Sequence, residues 1–470
     1  MVRWSPLGAV LGAAFVLRVA LALSGGAIFW GDEGHRWPAS VQLYDAIRSH
    51  GDWAEAASVP FRYIHFGVGF LVPGLPAVWI AKTLPAWLTE PQALYATVAL
   101  YAGLASTAVL ALLALIAHRL GASRREVVAG TALAGCCVAL TYWSRFYQPY
   151  DYALALCLGA VAAALREEVH WREGRGAWIG ALAMAALLTH YGVAQVLVLV
   201  GAAMLWRHGR NVGMFAGAVA GALLVYLPVH VLMVAQGKPW WWLALYTLVR
   251  PPQGDVATGW WMPFVYFWET DHVLALAWLA ALPSAWRRVW ARPVVVAFGL
   301  LYAEMALFST GVGALALTGR YVRSLALPLS LLLGAQLVRS AGASRLRAAA
   351  MVIAVVLTAI GNFHPLFAQV FPCRAEEAWR AEVGDLRCAF TIAGPATGRA
   401  DPVTPYVAVN TCAWLYPVLG LRQDVPAGRT VHEHLHPLAY RPYQFELFTA
   451  AERATLRAAD LRVRLLDTSP

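Results

Sequence analysis

Long apolar stretches recur along this chain, separated by shorter polar segments that are often basic. A helix that crosses a membrane needs about 20 consecutive residues that are mostly apolar. Candidate stretches occupy residues 7–24, 93–117, 126–143, 151–166, 176–190, 191–206, 212–235, 273–286, 293–311, 321–338 and 347–366. The pattern predicts an all-α polytopic membrane protein with about eleven transmembrane helices.

A further apolar stretch, residues 66–84, decides the orientation of everything that follows it. It is a weaker candidate for a span because it contains Pro73, Pro76 and Lys82. If it lies along or dips into the outer leaflet, all the basic segments face the cytoplasm, where Lys and Arg accumulate. These segments are Arg3, 118–126, 166–176, 206–211, 286–292 and 338–347. If it crosses the membrane, every later basic segment falls on the outer side instead. We therefore expect that it does not cross, with a cytoplasmic N-terminus and an outward C-terminus.

Composition excludes a soluble protein. The chain has 470 residues, of which 60% are hydrophobic and only 13% charged, whereas soluble domains carry about 25% charged residues. The net charge of +10 is explained by basic cytoplasmic loops, so no nucleic-acid partner is expected. Arg18 interrupts the first apolar stretch and no clean cleavage site follows, which favours a retained helix over a signal peptide. We expect an integral protein of the plasma (inner) membrane.

Three regions face outward in this topology: the loop 25–92, the Trp-rich loop 236–272 and the tail from about residue 367. The tail loses the hydrophobic continuity of the rest. We therefore expect a membrane domain over residues 1–366 and a small extracytoplasmic α/β domain over residues 367–470.

Cysteines divide between these two parts. Cys136, Cys137 and Cys157 lie in predicted spans and are expected to be packing residues. The tail contains Cys373, Cys388 and Cys412, and an oxidising compartment permits one disulfide among them. Spacing does not decide the pairing.

The first outward loop begins with an acidic pair. Asp32 and Glu33 stand between Trp30 and Trp37 in "FWGDEGHRW". A carboxylate at the membrane interface is desolvated enough for its pKa to be tuned, yet reachable by a substrate. If this segment starts a helix, Asp32 shares a face with His35. The alternative interpretation is a solvated loop acid.

Other polar residues are predicted at the same outward level. Asp151 is predicted at the start of a helix, where the positive end of the helix dipole favours a carboxylate. It follows Arg145 across a turn. The alternative interpretation is an interfacial ion pair between Asp151 and Arg145. His190 ends a short helix, where a structural hydrogen bond is the competing interpretation. Arg320 and Arg323 suit phosphate binding, against simple contact with lipid headgroups.

Two charged residues fall inside predicted spans. Glu304 lies within the ninth span and Arg18 within the first. Charged residues inside a membrane pair with one another or serve function. Arg18 is therefore a candidate partner for Glu304.

Together these residues suggest a substrate with an apolar tail and a phosphate head. A carboxylate accepts the proton of an acceptor hydroxyl as that hydroxyl attacks a sugar carbon. The phosphate leaves, and an Arg stabilises its charge. One base and one Arg are enough for such a transfer.

The order and sidedness of these motifs resemble the GT-C superfamily of integral-membrane glycosyltransferases, which use polyprenyl-phosphate sugars. An acidic motif in the first outward loop is the superfamily pattern, and Asp32-Glu33 matches it. The segments "SRFYQPYDYALAL", "THY" (189–191) and "RY…LP" (from Arg320) also resemble bacterial members. The resemblance covers nearly all of the membrane region. It implies juxtamembrane helices in the first outward loop, where residues 66–84 lie.

The resemblance implies roles for individual residues. Asp32 is the expected general base, Glu33 and Asp151 are the further acids of the catalytic set, and Arg320 is the expected ligand of the lipid phosphate. The expected substrate-binding residues are His35, His65, Arg145, Tyr150, His190, Arg320, Tyr321 and Arg323. The role of Arg145 stays open because Gln148 stands where many members have an Arg before the Pro.

The implied activity is an inverting transfer from a polyprenyl-phosphate sugar to a glycan, lipid or protein acceptor. Mannose is the candidate sugar because "FRYIHFGVGFLVPGLPAVW" is similar to mannosyltransferases of the dolichol and GPI-anchor pathways. Some members use a divalent cation and others use no cofactor, so metal dependence stays open. The alternative function is a transporter or flippase of a polar-headed lipid; a scaffolding protein ranks below both.

Overall fold

The computed structural model of the protein describes most of the membrane region and two short pieces of the tail. The described residues are 5–23, 33–48, 51–62, 71–83, 90–141, 144, 149–166, 172–209, 211–237, 260–271, 273–307, 323–344, parts of 346–360, 430–433 and 464–467.

The described membrane region is helical. The helices are α1 (Ser5–Leu23), α2 (Glu33–Arg48), α3 (Trp53–Arg62), α4 (Leu71–Thr83), α5 (Glu90–Arg119), α6 (Arg124–Cys136), α7 (Val138–Thr141), α8 (Tyr150–Ala164), α9 (Arg172–Thr189), α10 (Ala194–His208), α11 (Val212–Ala235), α12 (Met262–Asp271), α13 (Val273–Ala285), α14 (Arg292–Leu307) and α15 (Ala326–Ala343). Short 3₁₀ turns cover Tyr191–Val193, Val289–Ala291 and Arg323–Leu325. The prediction of an all-α membrane protein is confirmed.

Nine of the described apolar segments resemble membrane spans. Four are long and apolar enough to cross a bilayer: Ala99–Arg119, Val212–Ala235, Val289–Ala306 and Arg323–Gly342. Five are shorter: Pro6–Leu21, Tyr150–Ala164, Gly174–Thr189, Val196–His208 and Leu274–Ala285. All nine overlap predicted spans. The total of about eleven stays a prediction, because the stretch 347–366 is described only in part.

The predicted span 126–143 is not one continuous helix. It starts at a capping box, in which Ser123 Oγ accepts from the Glu126 amide and Glu126 Oε2 accepts from the Ser123 amide. The helix then stops at Cys136, Cys137 takes an extended conformation, and the short α7 begins. Apolar periodicity does not reveal this break.

Three short helices are described in the loop 25–92, which is predicted to face outward. Ala39, Leu43 and Ala46 of α2 pack on Ala56 and Val59 of α3. The helix α4 has 13 residues and is therefore about 20 Å long, against a hydrocarbon core of about 30 Å. It falls within the stretch 66–84, whose first residues lie outside the described ones. That this stretch does not cross the membrane stays a prediction.

Small residues allow two helix pairs to approach closely. A Cβ added at Gly180 of α9 would overlap the Ala218 carbonyl of α11, and one added at Gly221 of α11 would overlap the Ala177 carbonyl of α9. Gly130 of α6 and Gly334 of α15 make a similar close contact. Such contacts replace the hydrophobic driving force that is missing between helices in lipid.

The bundle interior is one contiguous apolar cluster formed mainly by α1, α5, α6, α8, α10, α13, α14 and α15. Among its largest fully buried side chains are two arginines, Arg18 and Arg323. Arginines at such positions are costly and require partners.

The described part of the tail is a pair of strands. β1 (Thr430–Glu433) pairs antiparallel with β2 (Arg464–Asp467). The rest of the tail lies outside the described residues. The α/β domain over 367–470 and the disulfide among Cys373, Cys388 and Cys412 stay predictions.

We predict that Gly180→Leu destabilises the protein by about 1–3 kcal/mol, because the added side chain forces α9 and α11 apart. The measurement is the thermal unfolding midpoint of the purified protein in detergent. Gly201→Leu is the matched control, since nothing lies within 4 Å of a Cβ at Gly201. Equal midpoints for the two variants would contradict the close α9–α11 contact.

Candidate functional site

A buried ion pair joins two distant segments of the chain. Asp151 lies in the first turn of α8, and Arg323 lies in the 3₁₀ turn before α15. Arg323 Nη1 is 2.7 Å from Asp151 Oδ1, and the two side chains are only 2% and 8% exposed. Removing both charges from solvent is costly, so close geometry is required to offset the desolvation.

The local sequence explains why the carboxylate sits there. Pro149 occupies the position before α8 and supplies a backbone angle compatible with the start of a helix. Asp151 therefore lies in the first turn of α8, where the positive end of the helix dipole stabilises a negative charge. This agrees with the predicted location of Asp151 at a helix start, whereas its partner Arg323 comes from far along the chain.

Two rings extend the same cluster. The Tyr150 and His190 rings form a T-shaped contact with centroids 4.5 Å apart. The Arg323 guanidinium carbon lies 5.7 Å from the centre of the Tyr150 ring, which permits a cation–π interaction. Four residues predicted for the site, Tyr150, Asp151, His190 and Arg323, are thus brought together.

A hydrogen bond of His190 determines which of its two ring nitrogens carries the proton. Its Nδ1 accepts from the Gly192 amide at 3.0 Å. An accepting Nδ1 leaves the proton of the neutral imidazole on Nε2. His190 is buried, so this arrangement fixes an uncharged ring with one donor.

Arg18 lies in α1 and is fully buried. Its Nε donates to Ser106 Oγ at 2.7 Å, and its Nη1 donates to the carbonyls of Ala14 at 3.1 Å and Gly135 at 3.3 Å. These bonds connect α1 with Ser106 of α5 and Gly135 of α6.

The predicted pairing of Arg18 with Glu304 is wrong. The carboxylate oxygen Oε2 of Glu304 has no hydrogen-bond partner among the described residues. The reason is helix arrangement: α1 packs on α5 and α6, while α14, which carries Glu304, packs on α10 and α15. Depth in the membrane, as judged from sequence, does not tell which helices are neighbours.

Sequence reasoning missed Asp271, a fully buried acid at the end of α12. Its Oδ1 accepts from the Val138 amide at 2.8 Å and its Oδ2 from the Ala139 amide at 3.1 Å. Asp271 thus caps α7 and stabilises the break after α6. Its position in the sequence could have indicated it, because Asp271 is an acid at the junction of the Trp-rich loop and the next apolar stretch.

An apolar cavity of about 450 Å³ has Ser324, the residue after Arg323, in its lining. It lies between α5, α8, α10, α14 and α15. Ser324, the neighbour of Arg323 in sequence, lines one end, and Arg292 lines the other. The wall between them is apolar, for example Leu158, Val196 and Leu327. On the predicted topology the cavity extends from the outward side toward the cytoplasmic side.

Several predicted site residues lie outside the described residues: Asp32, His65, Arg145, Arg320 and Tyr321. Glu33 and His35 lie in the first turn of α2, but their side chains are not described. Their roles stay predictions. Within the described residues no group of three or more His, Cys, Asp or Glu side chains is placed to hold a metal ion, and Asp151 is engaged by Arg323.

No protein-family model matches the chain, and no curated protein sequence matches it. Solved structures do match. ArnT from Cupriavidus metallidurans in the apo state has a TM-score of 0.52 at 17% identity, over 71% of this chain and 59% of ArnT. The chain therefore shares the fold of this ArnT structure. The resemblance noted in the sequence is thereby confirmed at the level of the fold.

Two further solved structures are similar to the chain. ArnT bound to undecaprenyl phosphate has a TM-score of 0.49 at 17% identity, over 72% of this chain and 61% of ArnT. The Archaeoglobus fulgidus oligosaccharyltransferase in the apo form has a TM-score of 0.48 at 14% identity, over 78% of this chain and 56% of that protein. The chain thus spans 56–61% of the length of these two proteins.

We predict that Asp151→Asn and Arg323→Gln each lower stability by about 3–5 kcal/mol, because each leaves one buried charge without its partner. The double variant Asp151→Asn/Arg323→Gln removes both charges and is expected to lose less than the sum of the single variants. Unfolding of all three in detergent measures the coupling. Additive losses would show that the two side chains do not interact.

Proposed function

We propose that the protein is a membrane glycosyltransferase that moves a sugar from a polyprenyl-phosphate donor to an acceptor on the outward side. The observation that carries the proposal is the buried Asp151–Arg323 pair together with an apolar cavity of about 450 Å³ whose lining includes Ser324, the residue after Arg323. A lipid-linked substrate has a matching division into a polar head and an apolar chain. The GT-C fold supports the same class of reaction.

The cavity supports a bound prenyl chain. Its lining extends along α10 from Val196 to Trp206, and ten residues of helix rise about 15 Å. Such a cavity holds part of a long chain, and the remainder extends into the bilayer. The head is then kept near Tyr150, His190 and Arg323.

The proposed reaction is a single displacement with inversion at the anomeric carbon. The acceptor hydroxyl attacks that carbon while Asp32 takes the hydroxyl proton. The bond between the sugar and the phosphate oxygen breaks, and the electron pair leaves with the lipid phosphate. Arg320 and Arg323 stabilise the phosphate charge. We keep mannose as the candidate sugar and a glycan, lipid or protein as the acceptor.

The remaining site residues have supporting roles in this proposal. The Nε2–H of His190 is a donor for a phosphate or sugar oxygen, and the Tyr150 ring forms a wall. Glu33 and His35 orient Asp32, while His65, Arg145 and Tyr321 contact the substrate. ArnT, which shares the fold, has been solved with undecaprenyl phosphate, so this carrier lipid is the first to test.

A flippase is the second candidate, because an apolar cavity next to a charged cluster also suits a lipid that is moved across the membrane. A polar head, however, requires polar groups along its whole route, whereas the described cavity wall is polar only at Ser324 and Arg292. Proteoliposomes that translocate a labelled lipid without forming a glycosylated product would favour the flippase.

We predict that Asp32→Asn lowers the transfer rate by about 10²–10⁴-fold, because the general base is removed. The measurement is sugar transfer from synthetic undecaprenyl-phosphate sugars in proteoliposomes, with product detection by mass spectrometry. Asp52→Asn is the control: Asp52 is exposed in the same outward loop and only caps α3, a role that Asn also fills. Wild-type activity of Asp32→Asn would eliminate Asp32 as the base.

We also predict that Ala202→Phe in α10 raises the KM for a long-chain donor by about tenfold, an effect of about 1.4 kcal/mol. Ala202 lines the cavity, so the larger ring occupies space that the prenyl chain needs. A donor with a truncated prenyl chain should be affected less. Val198→Phe on the same helix is the control, because Val198 is exposed and is not part of the lining. Equal effects on both donors would exclude the cavity as the chain site.

A further inference from the structure

Glu304 is a carboxylate inside a predicted membrane span, and no interaction of the described residues explains it. It lies in the segment Val289–Ala306, which is long and apolar enough to cross a bilayer. Its Oε2 is buried and has no hydrogen-bond partner among the described residues, and no ion pair of Glu304 occurs among them. A buried acid without a partner is costly in a membrane, so Glu304 is expected to serve a function.

The position of Glu304 in α14 places it on the cavity side of that helix. Ala297, Leu300 and Leu301 of α14 line the apolar cavity. Glu304 follows them at intervals of seven, four and three residues, which is the spacing of one helix face. Bonds from Cα to Cβ tilt toward the start of a helix, so the Glu304 side chain leans toward the turn that carries Leu300 and Leu301. Glu304 therefore continues the cavity-lining face of α14 by one helical turn.

This turn lies near the end of α14 that is predicted to face outward. The helix begins at Arg292, in a basic segment that is predicted to be cytoplasmic, and Glu304 lies near its other end. Tyr302, two residues before Glu304, donates a hydrogen bond to the carbonyl of Trp260 in the predicted outward Trp-rich loop. The helix α14 also contacts the 3₁₀ turn Arg323–Leu325. Glu304 thus belongs to the outward end of the cavity, where the head of the lipid donor is proposed to bind.

The chemistry of a carboxylate determines which part of the donor it fits. An ionised carboxyl group only accepts hydrogen bonds, and it repels a phosphate because both groups are negative. The hydroxyl groups of a sugar donate hydrogen bonds, and in a polyprenyl-phosphate sugar they lie directly beside the phosphate. Arginine suits the phosphate, whereas Glu304 is complementary to the sugar.

We propose that Glu304 recognises the sugar of the donor by accepting hydrogen bonds from its hydroxyl groups. The proposal rests on the proposed function for the class of donor. It adds a means of distinguishing the donor from the product: the polyprenyl phosphate that remains after transfer has no sugar hydroxyl groups and loses the bonds to Glu304. The donor therefore binds more tightly than this product, which favours product release after each transfer.

Binding to the full-length protein in nanodiscs tests the proposal. The probes are undecaprenyl phosphate and its mannosyl, glucosyl and galactosyl derivatives. We expect the wild type to bind at least one sugar-bearing probe about tenfold more tightly than undecaprenyl phosphate. Glu304→Gln should remove most of this preference, because hydrogen bonds to a charged acceptor are stronger than those to a neutral one. Its Kd for undecaprenyl phosphate should not change. Ala303→Leu is the control, since Ala303 is an exposed residue in the same turn of α14.

Stability separates a role of Glu304 in binding from a role in packing. Glu304→Gln removes a buried charge that has no partner among the described residues, so its unfolding midpoint in detergent should equal or exceed that of the wild type. Glu304→Asp keeps the charge but withdraws it by one methylene group, so it should fold and bind the sugar-bearing probe with intermediate affinity. A purely structural role predicts a lower midpoint for Glu304→Gln and an equal loss of affinity for all four probes.

Three outcomes would overturn the proposal. They are a wild type without a preference for any sugar-bearing probe, a preference that persists in Glu304→Gln, and a Glu304→Gln variant that is less stable than the wild type. Failure of the proposed function has a different signature: a sugar preference that depends on Glu304 in a protein that transfers no sugar. Transfer by Glu304→Gln with an unchanged KM would instead remove only the role of Glu304.

Discussion

The membrane region depends on the burial of charge between helices that are otherwise apolar. Arg323 Nη1 lies 2.7 Å from Asp151 Oδ1. The two residues lie at the starts of α8 and α15, which are predicted to face outward. In lipid, neither side chain is stable without the other, so the pair requires a specific arrangement of the two helices. Arg18 is a further buried charge in α1, and it bonds Ser106 of α5 and the Gly135 carbonyl of α6. Buried charges thereby connect α8 with α15, and α1 with α5 and α6.

The helices around the Asp151–Arg323 pair pack closely in some places and leave an apolar cavity in another. Close contacts at glycine between α9 and α11, and between α6 and α15, allow dense packing where hydrophobic burial gives no driving force. Elsewhere the packing is incomplete, and the gap between α5, α8, α10, α14 and α15 forms the apolar cavity. A charged centre next to an unfilled apolar space is consistent with an amphiphilic substrate.

The break between α6 and α7 shows how a second acid serves a structural purpose. Asp271 supplies its carboxylate to two amides of α7 and accepts a weak bond from the Cys137 thiol. The short helix contacts the turn that carries Arg323. Asp271 and Asp151 are both buried acids, yet the first is satisfied by backbone amides and the second by an arginine.

Much of the fold was predictable because its signals are local. The length of each apolar stretch reports whether a helix crosses the bilayer, and the helices α1, α8 and α11 begin and end close to the predicted residues. The start of α8 and the placement of Asp151 there followed from Pro149 and the helix dipole. The resemblance to GT-C enzymes also depended on short motifs and their order.

By itself, the sequence determined the membrane class, the position of most helices and the candidate polar residues, since hydrophobicity and helix-start signals act over a few residues. Tertiary structure alone decided that Asp151 pairs with Arg323, that Arg18 bonds Ser106 instead of Glu304, and that the span 126–143 breaks at Cys137. It also decided where the cavity lies. The physical reason is that such partnerships depend on which helices become neighbours, and helix packing in lipid is set by small residues and buried charges scattered over the whole chain.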